Sequence, residues 1–154
     1  MQDEAVILLA EDREDDIHLI EKAFRAAYIT NPLHVARDGE RAIAYMRGEG
    51  KYARRDEFPL PSLLLLDLKM PKLDGFDVLE WVRQAPSLSS LRVIVLTSSE
   101  DIRDVNKAYK LGANSFLVKP IDFADVVQLG QSITKYWLTL SKTPEISREP
   151  RKVQ

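Results

Sequence analysis

The sequence predicts an α/β fold: a doubly wound, five-stranded parallel sheet with helices on both faces. Short apolar runs alternate with amphipathic stretches along the 154 residues, which is the rhythm of repeated β/α units. The first of them, residues 5–10, is apolar throughout rather than alternating in and out, as a strand buried on both faces must be.

Residues 5–10 (AVILLA) form the first expected strand. Residues 15–28 follow as a helix, with Ile17, Ile20, Phe24 and Ala27 spaced for one face. Residues 33–36 are a weaker strand, and residues 38–47 a helix carrying Ala42, Ile43 and Met46. Residues 63–66 (LLLL) are the third strand, and residues 76–84 the third helix, closed by Pro86. Residues 92–96 and 102–111 are the fourth strand and helix, with Gly112 placed to end the helix. Residues 115–118 are the fifth strand. Residues 123–140 are expected as one long last helix with Phe123, Val126, Val127, Ile133 and Trp137 inward. Residues 48–62 interrupt the rhythm as a long, charged, Gly- and Pro-containing connection. Residues 141–154 are polar, with two prolines, and are expected to form a mobile tail.

Composition narrows the function. The net charge is −2, from 22 basic and 24 acidic residues, so no global field draws the chain to nucleic acid or an anionic membrane. There is no cysteine, which excludes disulfides and thiolate metal sites. The acidic start, Met1-Gln2-Asp3-Glu4, lacks the basic region and long apolar core of a secretory signal. The expectation is a cytoplasmic protein with no membrane and no nucleic-acid partner.

Ligands of doubly wound sheets bind beyond the carboxyl ends of the strands. Those ends here carry Glu11-Asp12, Asp67, Thr97-Ser98 and Lys119-Pro120. Three carboxylates on one rim repel unless a cation or proton offsets them. A hard divalent cation such as Mg²⁺, with Mn²⁺ as the alternative, suits oxygen ligands and bridges to phosphate. Asp67 could then attack phosphorus in line, with Lys119 offsetting charge on the phosphoryl oxygens and Thr97 donating a hydrogen bond. Taken singly, Glu11-Asp12 could serve the dipole of the following helix. Asp67 could be a solvated strand end, Thr97 a turn residue and Lys119 a surface charge. Their weight lies in falling together, in order, at successive strand ends. His18 and His34 lack metal-ligand companions and are expected to be structural or exposed. Arg54-Arg55 is expected as a solvated pair, and Trp81 and Trp137 as helix aromatics.

The set formed by Glu11-Asp12, Asp67 in LLLLDLKMPKLDG, Thr97 in VIVLTSS and Lys119 in SFLVKP resembles the receiver domain of two-component response regulators, the CheY-like superfamily. The resemblance covers residues 5–140. It implies a flavodoxin-like strand order, 2-1-3-4-5, a receiver domain over residues 1–140 and a tail over 141–154. It also implies a phosphoacceptor switch rather than an enzyme, with Asp67 as phosphoacceptor. Glu11, Asp12, Asp67 and the Lys69 backbone carbonyl would be the metal ligands. Thr97 and Lys119 would contact the phosphoryl group, Thr97 and Phe116 would form the switch, and Lys119-Pro120 would be a cis peptide. Pro71 and Gly75 match the family's loop after the phosphoacceptor strand. The segment from AYMRGEG through FDVL and the ending SITKYWL resemble stand-alone regulators paired with phytochrome-like kinases.

The acidic pair Glu11-Asp12 is a frequent variant of the family pattern, and two further positions depart from it. Lys69 stands where asparagine is common, and Phe116 where the chemotaxis relative has tyrosine. The implied partners are a histidine kinase or phosphotransfer protein, a downstream protein target, and a second copy of the chain through the face of helix 4, strand 5 and helix 5. Leu129, Tyr136 and Leu140 mark that dimer face, or else simply widen the core contact. Three competing functions differ in testable ways. A haloacid-dehalogenase phosphatase needs a second aspartate where Lys69 stands, and an FMN-binding flavodoxin would want hydroxyls and glycines after the first strand. A phosphorylation-independent receiver-like adaptor would take no phosphate.

Overall fold

A computed structural model describes residues 5–140, with side-chain environments given through Trp137; the expected tail lies outside the described residues. The elements are β1 (Ile7–Ala10), α1 (Glu14–Ala26), β2 (Leu33–Ala36), α2 (Gly39–Arg47), β3 (Leu63–Leu66), α3 (Gly75–Gln84), β4 (Arg92–Thr97), α4 (Ile102–Lys110), β5 (Ser115–Val118) and α5 (Phe123–Ile133). The strands form one parallel sheet in the order β2-β1-β3-β4-β5, the order that the resemblance implied.

Strand parity divides the core in two. Leu8, Ala10, Leu64, Leu66, Val93 and Val95 pack toward α2, α3 and α4. Ile7, Leu9, Leu63, Leu65, Ile94 and Leu96 pack toward α1 and α5. Both faces of the central strands β1, β3 and β4 are covered, which explains why their sequences carry no polar alternation.

Helix termini follow local chemistry. Asp38 caps α2, its Oδ1 accepting from the Arg41 amide at 2.7 Å. Asp74 and Asp77 form a reciprocal capping box on α3. Gly112, at φ 106°, follows α4 in a conformation that favours glycine.

Four expectations are corrected. The last helix is not uniform: α5 ends at Ile133 and a π-helical segment, Thr134–Leu140, continues it. At the junction the Thr134 hydroxyl donates to the Gly130 carbonyl at 2.8 Å, a side-chain bond to i−4 that bends helices. Phe123 is not inward but exposed; the buried stripe of α5 is Val126, Gly130 and Ile133. Gly130 belongs to it because an added Cβ would lie 2.9 Å from the Phe24 ring.

Arg55 is not solvated. Its guanidinium donates to the carbonyls of Tyr45 (2.7 Å), Met46 (2.8 Å) and Phe58 (3.1 Å), satisfying the end of α2 and pinning the long connection beneath it. Arg54 remains exposed and pairs with Glu57 at 3.1 Å. Tyr52 and Phe58 from this connection join Tyr45 and His34 in an aromatic cluster beside edge strand β2. Finally, the Lys119-Pro120 peptide is trans, the isomer X–Pro bonds ordinarily favour.

Candidate functional site

Glu11, Asp67 and Lys119 are each the residue after a strand. They continue the parity of Leu9, Leu65 and Leu117, which belongs to the α1/α5 side. That parity brings them together. The Lys119 ammonium donates to Glu11 Oε1, to Asp16 Oδ2 at 2.9 Å and to Asp67 Oδ2 at 3.2 Å. Glu11 is fully buried and Asp67 nearly so. One oxygen each from Glu11, Asp12 and Asp67 lie within 4.8 Å of one another. Asp12 Oδ1 is buried without a hydrogen bond, a costly arrangement unless something else satisfies it. Three carboxylates at this spacing with one orphaned oxygen fit a hard divalent cation.

The electrostatics of the three-carboxylate cluster express the same crowding. Burial, and then hydrogen bonding and repulsion from Asp67, push Glu11 up to about 8 despite Lys119. Burial would also raise Asp67, but hydrogen bonding from Glu11 and the Lys119 ammonium outweigh it and hold the carboxyl below its ordinary range. One carboxyl of the pair therefore keeps a proton near neutrality while the other carries the charge. Burial disfavours the Lys119 cation, yet Glu11, Asp16 and Asp67 together raise its pKa.

Thr97 ends β4 on the opposite parity, in line with Val93 and Val95. It is close enough to favour charge on Asp67, yet its buried Oγ1 makes no well-formed hydrogen bond. Phe116 lies opposite Val95, with Val118 opposite Thr97. It is therefore diagonal to Thr97 on one face, half-buried against the α4-side core. Its amide donates to the Tyr109 hydroxyl at 3.0 Å. Lys69 is exposed, and its amide reaches Asp67 Oδ1 at 3.4 Å.

The loop after β3 is shaped by close approach. Gly75 donates its N–H to the Leu68 carbonyl at 2.9 Å. A Cβ there would sit 2.3 Å from the Asp67 carbonyl oxygen, so only glycine lets α3 start this near Asp67.

His18 is exposed beside Glu14 and Glu21, and His34 packs in the aromatic cluster. Neither joins the site. Trp81 and Trp137 are partly buried against the two cores. Asp16 was missed. Its signal was its place one turn above Ile20, at the top of the inward stripe of α1, rather than in an undifferentiated acidic run.

Comparison with known proteins agrees with this geometry. Residues 7–130 match the response regulator receiver domain family. Response regulator Rcp1 of Synechocystis is 37% identical over 139 residues, 90% of this chain and 92% of that protein. The probable methanogenesis regulatory protein FilR2 of Methanothrix harundinacea is 36% identical, covering 93% of this chain and 90% of that one. The phosphorylated cyanobacterial phytochrome response regulator RcpA superposes with a TM-score of 0.84 at 34% identity, over 92% of this chain and 99% of that one. The Mn²⁺-bound form of Rcp1 superposes with a TM-score of 0.80 at 36% identity, with the same coverage. Receiver domains bind a divalent metal, and in general they are switches rather than catalysts. With a match over most of its length and the acid cluster at the strand ends, this chain belongs to the response regulator receiver family, accepting phosphoryl groups in a two-component system with a histidine kinase as partner.

Proposed function

We propose that Asp67 is the phosphoacceptor, in a site whose cation is Mg²⁺, or alternatively Mn²⁺, held by Glu11, Asp12, Asp67 and the Lys69 backbone carbonyl. The observation that carries this reading is the Lys119 ammonium bridging Glu11 and Asp67 beside the orphaned Asp12 Oδ1. An Asp67 carboxylate oxygen attacks phosphorus, and the bond from phosphorus to the kinase histidine nitrogen breaks as the new one forms. Lys119 meets charge on the phosphoryl oxygens, and the unpartnered Thr97 hydroxyl donates to one of them. A bound divalent cation would neutralise further charge on those oxygens.

The phosphoryl group adds about −1.5 to −2 charge. Drawing Thr97 toward it vacates space next to Phe116, whose inward movement changes the surface of α4, β5 and α5. The signal is a shift between two pre-existing populations. Exposed Ile102, Tyr109, Val118, Ile121 and Tyr136 make that surface suited to a second copy or a downstream target. The likeness to phytochrome-associated regulators supports a phytochrome-like kinase.

The test is incubation with acetyl phosphate and Mg²⁺, read by intact mass. Wild type gains one phosphoryl group and Asp67→Asn none; equal gain by both refutes the assignment. Sedimentation with and without beryllofluoride tests the dimer, and a monomer in both states removes it.

A further inference from the structure

We propose that Asp16 is a positioning residue for phosphoryl transfer: it anchors Lys119 while Glu11 and Asp67 exchange their hold on that ammonium for ligand. The inference rests on the reading that Asp67 takes the phosphoryl group.

An ammonium has three N–H donors. In Lys119 all three are engaged, by Glu11, by Asp16 at 2.9 Å and by Asp67 at 3.2 Å. A cation among Glu11, Asp12 and Asp67, and a phosphoryl group on Asp67, both draw on oxygens that now hold Lys119. Asp16 is outside that acid trio, so its bond to Lys119 survives loading. Two N–H groups are thereby released toward phosphoryl oxygens while the third keeps the side chain in place. Lysine has a flexible four-carbon stem, and without an anchor its ordering would be charged against ligand binding.

The first turn of α1 holds three acids, and they are not equivalent. Glu14 turns to Arg37 and His18, and Asp15 is exposed. Asp16 is 27% exposed and points at Lys119. Asp16, Lys119 and Pro120 share a narrow cleft with the apolar Leu19, Val126 and Leu129, and such lining strengthens a charge pair by limiting water. The plain alternative is that Asp16 serves the helix dipole and Arg13, whose Nε lies 3.6 Å away. Any of the three acids could serve the dipole; Asp16 is the one in contact with Lys119.

The experiment compares wild type, Asp16→Asn and Asp15→Asn in three measurements: Mg²⁺ affinity alone, beryllofluoride affinity at saturating Mg²⁺, and the initial rate of phosphorylation by acetyl phosphate. Asp16→Asn is expected to weaken beryllofluoride binding and slow phosphorylation about tenfold, the worth of one charge-assisted hydrogen bond, with Mg²⁺ affinity unchanged. Asp15→Asn, which removes the same charge from the same turn, should match wild type in all three. Unchanged beryllofluoride affinity in Asp16→Asn, equal losses in both variants, or a proportional loss of Mg²⁺ affinity overturns the anchor role. Should Asp16→Asn fail to fold, Asp16→Ser is read against the same outcomes. Wild type that takes neither ligand nor phosphate defeats the site reading itself; a responsive wild type with an indifferent variant defeats only the role of Asp16.

Discussion

In the absence of metal, the protein should become less stable as pH rises from about 5 to about 8, and Glu11 should be the cause. Its carboxyl is raised from an ordinary 4.5 to about 8, first by burial and then by Asp67. A raised carboxyl means that the folded state holds a proton the unfolded chain has released. Its stabilising contribution is full below 4.5 and is lost as pH climbs through 8. At about 1.36 kcal/mol per pH unit, the loss by pH 8 is about 4 kcal/mol, a large part of the total for a domain of ordinary stability. Asp67 is shifted the opposite way, so its contribution is lost below its ordinary range, outside this window. Urea denaturation in EDTA at several pH values measures the slope. Glu11→Gln, which mimics the protonated carboxyl, should match wild type at pH 5 and exceed it at pH 8. Saturating Mg²⁺ should return the wild-type loss by mass action. A wild-type profile with the same slope as Glu11→Gln would refute the reasoning.

Other substitutions probe the surroundings. Gly75→Ala places a Cβ 2.3 Å from the Asp67 carbonyl oxygen; overpacking should cost about 1–3 kcal/mol and, by displacing Asp67, lower the phosphorylation rate seen by intact mass. Arg55→Met leaves the Tyr45, Met46 and Phe58 carbonyls without their donor; urea melts should show a loss of about 2 kcal/mol with phosphorylation unchanged. His34 is held below its ordinary 6.5 by burial, so it contributes stability above that pH that is lost as pH falls. His34→Phe should flatten the decline below pH 6.5, measured in a Glu11→Gln background to remove the opposing slope.

The sheet was legible because its central strands are buried on both faces: LLLL at 63–66 and VIVL at 93–96 leave no polar alternation to confuse with an edge. The site was legible because parallel strands deliver their final residues to one rim, which is where Glu11, Asp67 and Lys119 meet. What failed were features set by tertiary contact. Arg55 reads as a loop charge until three carbonyls converge on it. Phe123 reads as core at helical spacing, yet the turn of α5 that packs inward starts at Val126. Tyr45, fully buried with its hydroxyl on the Pro59 carbonyl at 2.9 Å, went unnoticed because the connection that covers it has no periodicity. Asp16 was hidden among neighbouring acids whose directions only the helix orientation separates.

An acyl phosphate on aspartate is reduced by borohydride to homoserine, which peptide mass spectrometry can place by residue. Applied to protein phosphorylated by acetyl phosphate, this should mark position 67 and leave Asp12 and Asp16 intact. Homoserine at either of those acids, or none anywhere in a protein that has gained phosphate, would contradict Asp67 as the nucleophile.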